Sequence, residues 1–226
     1  MGHSNKVYIA IIGDIKRSRE IEDRKYTQEL LMRTLDDINR KYDMGIAAKF
    51  TITLGDEFQG LLNGSGSILA ITSEIERRMF PERIRFGIGI GRIFTAINPE
   101  KAIGADGPVY YEARKAIEYI KRAESRKGAG ITDTRVQVEG DEQMIVELIN
   151  ASLALATVIK CAWSRGQREA IWSMLEQPDT QTEVAKRLGI SQPTLQKALA
   201  AGEYYTYVEA IRIIEEALGY IEVKNA

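Results

Sequence analysis

The chain has 226 residues, 44% of them hydrophobic, with 31 basic against 32 acidic side chains, enough apolar material for one good core and a smaller second one. The balanced charge supplies no global field for nucleic acid or an anionic membrane, so any such contact must come from a local patch. One cysteine, Cys161, and one histidine, His3, exclude an internal disulfide, a thiolate-rich zinc site, a serine-histidine triad and histidine-held metals.

In chain order, the first element is the apolar β-type run Val7 to Ile12 leading into Gly13 and Asp14. A helix is expected over 21–42, because Ile21, Leu30, Leu31, Leu35 and Ile38 recur at near-helical spacing with charges between them. Residues 46–54 read as a strand, Gly55-Asp56 as a tight turn and 58–62 as the returning strand of a hairpin. A helix over 67–79, a strand over 84–93, a helix over 109–124 and a short strand over 135–138 follow. The order strand, helix, strand, strand, helix, strand is that of a ferredoxin-like split unit, in which the first strand and the hairpin are central neighbours. Gly87, Gly89 and Gly91 alternate on one strand, the mark of another backbone lying close to that face, and a packed helix is the expected neighbour.

After Gly140 the pattern becomes helical throughout, giving an α+β chain with a first domain over 1–139 and an all-α domain over 140–226. A long apolar helix over 142–163, carrying Cys161 as a small core residue, is expected to pack on the sheet domain or a second subunit. Helices over 165–177, 181–188 and 192–201 follow, with Thr180 and Glu183 as a capping box and Pro193 in a first turn. Ala185, Gly189, Ile190, Leu195 and Leu199 have the spacing of a helix-turn-helix, placed at about 165–201. Gln192, Thr194, Gln196 and Lys197 are types able to read base edges and phosphates, and Arg165, Lys186 and Arg187 are types that touch a DNA backbone. Against this stands a helical adaptor without DNA, since Glu169, Glu176, Asp179 and Glu183 nearly balance the local bases. The last helix is expected over 207–218, with Glu203-Tyr204-Tyr205 as packing residues. No run approaches the length of a membrane span and no tripartite leader opens the chain, so a cytoplasmic protein without a membrane partner is expected.

Asp14 and Asp56 each follow a glycine at the end of a β-type run. On adjacent strands their carboxylates, with the carbonyl of Ile15, are hard oxygen donors suited to a magnesium ion carrying nucleotide phosphates. The plainer reading is that Gly-Asp turns the chain twice. Lys16, Arg17, Ser18 and Arg19 follow at once; the three cations either neutralise a polyphosphate or form a solvated helix start offset by Glu20, Glu22 and Asp23.

Gly13-Asp14-Ile15, Leu54-Gly55-Asp56-Glu57-Phe58 and Phe86-Gly87-Ile88-Gly89-Ile90-Gly91 resemble the palm of class III nucleotide cyclases and diguanylate cyclases over roughly the first 115 residues. Closer still, Gly55-Asp56-Glu57-Phe58-Gln59-Gly60, Asp106-Gly107-Pro108-Val109 with Ala113-Arg114, and the carboxyl-terminal helix-turn-helix resemble the SatD family of bacterial proteins over nearly the whole chain. The cyclase resemblance implies metal binding by Asp14, Ile15 and Asp56, phosphate wrapping by residues 15–19, and a catalytic set of Asp14, Asp56 and Arg114. Three positions depart from it: Tyr110 stands where an asparagine partner is usual, Ile52 where a lysine often selects the purine, and Leu54 where diguanylate cyclases carry a second glycine.

Two functions follow. The preferred one is a regulatory DNA-binding protein, expected to be a homodimer, whose cyclase-like palm senses a nucleotide with magnesium or mediates dimerisation. The other is an active nucleotidyl transferase or cyclase in which metals on Asp14 and Asp56 activate a ribose hydroxyl. A scaffold that binds nothing is the third, plainest option.

Overall fold

The computed structural model describes residues 6–126, 132–140 and 142–225, so the expectations on His3 fall outside the described residues. Five strands, β1 (Tyr8–Ile15), β2 (Ile46–Leu54), β3 (Glu57–Leu62), β4 (Ile84–Gly91) and β5 (Thr134–Val138), form one sheet of order β2-β3-β1-β4-β5. β1 is antiparallel to both β3 and β4, and β5 joins β4 in parallel. The first strand and the hairpin are therefore neighbours, as the element order requires.

Alternation along β1 divides the sheet into two faces. Ile9, Ile11 and Ile15 join Phe58, Leu62, Phe86 and Ile88 in the main core, against α1 (Arg24–Lys41) and α2 (Ile68–Met79). Ala10 and Ile12 face the other way, with Leu61, against α3 (Pro108–Glu124). The alternating glycines of β4 lie on this second face. A Cβ on Gly87 would stand 2.4 Å from the carbonyl oxygen of Ala113, and one on Gly89 2.0 Å from that of Val109, so the missing side chains let α3 lie directly on the strand.

α4 (Gln143–Ala162) and α8 (Tyr204–Asn225) belong to both parts of the molecule. Val146, Ile149 and Leu153 of α4 and Ile214, Leu218 and Ile221 of α8 enter the sheet core. Asn150 fixes α4 to β5 by accepting from the Val136 amide at 2.8 Å and donating to its carbonyl at 2.9 Å. The far end of α4 enters a second core with α5 (Arg165–Glu176), α6 (Gln181–Leu188) and α7 (Gln192–Ala201), built on Trp163, Ile171, Val184, Ala185, Leu195, Leu199 and Tyr207. The Trp163 indole donates to the Gly202 carbonyl at 2.7 Å, satisfying its one polar atom inside that core.

Several expectations change. α1 starts at Arg24, three residues late, because Asp23 caps it by accepting from the Tyr26 amide at 2.8 Å. α8 is longer at both ends, running from Tyr204 through Gly219, since Leu218 and Ile221 on either side of that glycine are anchored in the core. The complete capping box lies at α5, between Ser164 and Gln167, while at α6 Thr180 accepts from the Glu183 amide at 3.3 Å. Cys161 is exposed on the outer side of α4. α4 itself is long and apolar enough to cross a membrane by length and composition, contrary to the reading that no run approached that length.

Candidate functional site

Gly13 and Gly55 place the two aspartates by different means. A Cβ on Gly13 would stand 2.0 Å from the Phe58 ring, so this glycine makes room for a core aromatic while β1 runs straight on to Asp14 and Ile15. Gly55 has φ of +50° and turns the chain between β2 and β3. The Ile15 amide donates to the Asp56 carbonyl at 3.1 Å, which sets the hairpin turn beside the end of β1.

Register decides what surrounds Asp14. It lies opposite Glu57 on β3 and Arg85 on β4, on the sheet face that α3 covers. Both carboxylates are buried, and α3 supplies the cations: Lys121 reaches Asp14 at 2.8 Å, and Arg114, two turns earlier, reaches Glu57 at 2.7 Å. Arg85 bridges the other Asp14 oxygen to Glu124, which it meets at 2.6 Å. Lys16 continues the chain of charge to Glu124 at 2.6 Å and to Asp133, and Arg83 meets Asp133 at 3.0 Å. Burial alone would raise the Asp133 carboxyl, but Lys16, Lys160 and Arg83 outweigh it and hold it below the usual aspartate value. Glu124 is likewise lowered, burial being overcome by Arg85 and Lys16.

Asp56 is half-buried at the hairpin turn and accepts from the Ser18 hydroxyl. Arg17 adopts a left-handed φ of 52° and, like Arg19, points to solvent. Lys16, Arg17, Arg83, Arg85, Lys121 and Arg126 line an open cleft of about 1200 Å³ at this end of the sheet, together with Glu20, Glu22, Asp23, Glu82 and Glu124. Tyr110 is partly buried, its hydroxyl is buried and lacks a partner among the described residues, and desolvation pushes its pKa up to about 12.

A divalent ion on Asp14 and Asp56 would have to displace Arg85 or Lys121, because each Asp14 oxygen already carries a cation. Among the described residues, no group of three or more acidic, histidine or cysteine side chains converges as a metal shell. As folded, this donor set fits an ion-pair network and not a magnesium shell. Sequence reasoning missed Arg85, Lys121, Glu124 and Asp133; the spacing of Arg114 and Lys121 on one helix face was the available signal, whereas Arg85 required the strand register.

At the other end of the molecule, α6 and α7 are joined by a tight turn. Gly189 takes φ of +66°, its amide donates to Lys186 at 3.1 Å, and the Ile190 amide donates to Ala185 at 3.0 Å, closing the end of α6. Ser191 then caps α7 by accepting from the Thr194 amide at 3.3 Å. Leu195 and Leu199 turn inward, leaving Thr194, Gln196 and Lys197 outside. Three of the other candidates have structural partners. Arg187 donates to the Ser173 and Gln177 carbonyls at 3.3 and 3.2 Å, Arg165 pairs with Glu169 at 2.9 Å, and Gln192 donates to Gln181 at 3.0 Å. Gln196, Lys197 and Lys186 are exposed.

Among solved structures, the chain is similar to the catalytic core of a rhodopsin-guanylyl cyclase with converted specificity in complex with ATPalphaS. That likeness has 17% identity and a TM-score of 0.39, covering 59% of this chain and 76% of that one. It is also similar to the monomeric guanylyl cyclase domain of the RhoGC fusion protein of the aquatic fungus Blastocladiella emersonii, at 17% identity and TM-score 0.39 over 59% and 81% of the two chains. A third is the guanylate cyclase domain of RhGC from Catenaria anguillulae in complex with GTP, at 16% identity and TM-score 0.37 over 59% and 78%. No curated protein matches the chain. The model of the SatD family matches residues 8–217, nearly the whole length, and the chain belongs to the SatD family.

Proposed function

We propose that this protein is a regulatory DNA-binding protein in which α5, α6 and α7 form the DNA-contacting unit and the sheet domain takes an anionic ligand of the nucleotide class. The observation that carries the reading is the outer face of α7, where Thr194, Gln196 and Lys197 stand exposed on a helix locked from within by Leu195 and Leu199. A rigid helix with polar and basic groups left to solvent suits a major groove, Lys197 and the neighbouring Lys186 meeting phosphates and Gln196 a base edge. Ligand binding in the sheet domain rests, in this reading, on the cations that line the cleft, with Lys16, Arg83, Arg85 and Lys121 exchanging carboxylate partners for phosphate oxygens.

One preparation tests both halves. Retention on genomic DNA that falls steeply with salt, and is lost in the Gln196→Ala, Lys197→Ala double variant, is the expected result for α7. Calorimetric titration with each nucleoside triphosphate is expected to show binding that survives chelation of magnesium and weakens at least about tenfold in Arg85→Ala. Retention unchanged by the double variant overturns the α7 assignment. Product formation from a triphosphate, abolished by Asp56→Asn, would replace the sensor by an enzyme.

A further inference from the structure

The inner side of α4 is spent on the sheet core, but its outer side carries a second apolar stripe. Met144, Leu148, Ala151, Leu155, Val158 and Ala162 succeed one another at spacings of four, three, four, three and four, the seam spacing of a coiled coil, and all six are exposed. With exposures of 75%, 62%, 67% and 52% for Met144, Leu148, Leu155 and Val158, the stripe offers roughly 500 Å² of apolar surface, near the top of what a monomer leaves uncovered. A charged helix face is the norm for solvent, and here the charge is missing.

We infer that this face of α4 is a homodimer interface in which two copies of the helix pack antiparallel about a two-fold axis near residue 153. Three observations select a second copy of this chain. The first is size: in that register Met144 faces Ala162 of the second copy, Leu148 faces Val158, and Leu155 faces Ala151, so each large side chain meets a smaller one and the surface is complementary to itself. The second is the crossing point, where the small residues Ser152 and Ala154 flank the seam and let the backbones approach. The third is charge. Glu147, which meets Arg135 at 3.0 Å yet keeps more than half of its side chain exposed, borders the seam at one end, and at the other Arg83, which meets Asp133 at 3.0 Å and is likewise about half exposed, lies 3.3 Å from the Cys161 Sγ; antiparallel packing brings the Glu147 of each copy to the Arg83 of the other as an added partner at the rim. Two stripes of this size, with Glu147, Arg83 and their neighbours at the rim, bury on the order of 1,200 Å² in all, the lower bound for a specific pair. A parallel pair would set Glu147 against Glu147.

The interface stands apart from the DNA reading, since it uses none of the α7 residues, although a dimer would also give two α7 helices a fixed separation. Sedimentation equilibrium across micromolar concentrations is expected to show a dimer for the native protein and at least about 30-fold weaker association for Leu155→Glu. Because Leu155 points outward, circular dichroism should show that variant folded, and Leu148→Glu serves as the second test if it does not. Cys161 reads the orientation. In the antiparallel pair the two native cysteines lie about 24 Å apart along the helix axes, so a short bismaleimide should leave the native dimer unlinked and link Glu147→Cys through partner Cys161. A native monomer, a dimer indifferent to both glutamates, or efficient linking through Cys161 alone overturns the proposal. So does a monomer that sediments with anionic phospholipid vesicles, which would assign the stripe to a membrane surface.

Discussion

The strand-end rim of the sheet and the outer face of α7 use polar side chains in opposite ways. At the rim, Asp14, Glu57, Glu124 and Asp133 meet Arg85, Lys121, Arg114, Lys16 and Arg83 at hydrogen-bond distance, most of them at least partly withdrawn from water. On α7, Gln196 and Lys197 project into solvent from a helix held by two buried leucines. Any anion that binds at the rim must compete with carboxylates already in place, so its affinity depends on an exchange of partners. A phosphate meeting α7 displaces only water and small ions. An anion taken up at the rim would therefore couple its binding to rearrangement, whereas one meeting α7 would find that face as it stands.

Breaking the rim should have the largest effect. Asp14→Ala leaves Arg85 facing the sheet with one carboxylate fewer and removes the inner partner of Lys121. Removing one member of a buried pair costs about 3–5 kcal/mol. Lys121 is partly exposed and can turn to water, so a loss of about 2 kcal/mol is expected, read as a lower midpoint in urea. A midpoint unchanged within error would mean that the rim charges are solvated like those of α7, and the contrast would dissolve.

Acid should do the same more gently. Asp133 and, on α2, Glu74 both have carboxyls held below their ordinary values of 3.8 and 4.5. For Glu74, burial acts upward but Lys41, Tyr42 and Arg78 outweigh it. A lowered carboxylate binds fewer protons folded than unfolded, so its contribution is complete above the ordinary value and is lost as pH falls through the folded one. Stability is thus expected to be flat through neutral pH and to decline below about pH 4.5. The check is urea unfolding at stepped pH. A decline that begins near pH 6 would contradict the assignment.

How much of this was legible follows from the range of the interactions. A continuous apolar run marked β1, the Gly55-Asp56 turn between two β-type runs marked the hairpin, near-helical spacing marked α1, and caps and turn residues marked α6 and α7, because all of these are local signals. The glycine row of β4 was legible as a close approach, and the helix that makes it is α3. Arg85 was not legible as the partner of Asp14, since 71 residues separate them and only the β1–β4 register sets them opposite. Lys16 was readable as a cation but not as one already committed, because Asp133 arrives from a strand 117 residues on. The same holds for Arg187, which looks like a DNA-contacting base in the sequence and instead closes the carbonyl end of α5. Cys161 misled for another reason: an apolar helix hides which of its sides faces inward when both are apolar.

The smallest expected change in stability sharpens the comparison most. The Gln196→Ala, Lys197→Ala double variant removes two outward side chains from α7 and replaces them with the best helix former, so its unfolding free energy should stay within about 0.5 kcal/mol of the native protein. Its DNA retention should nevertheless fall, with the slope of log affinity against log salt reduced by about one for the lost lysine contact. The two readouts must separate for the argument to hold. Should the midpoint in urea drop along with DNA retention, the side chains would be packing groups and α7 would belong with the rim. If neither moves, the exposed polar face is surface, and the contrast between committed and uncommitted charge is one of solvent exposure alone.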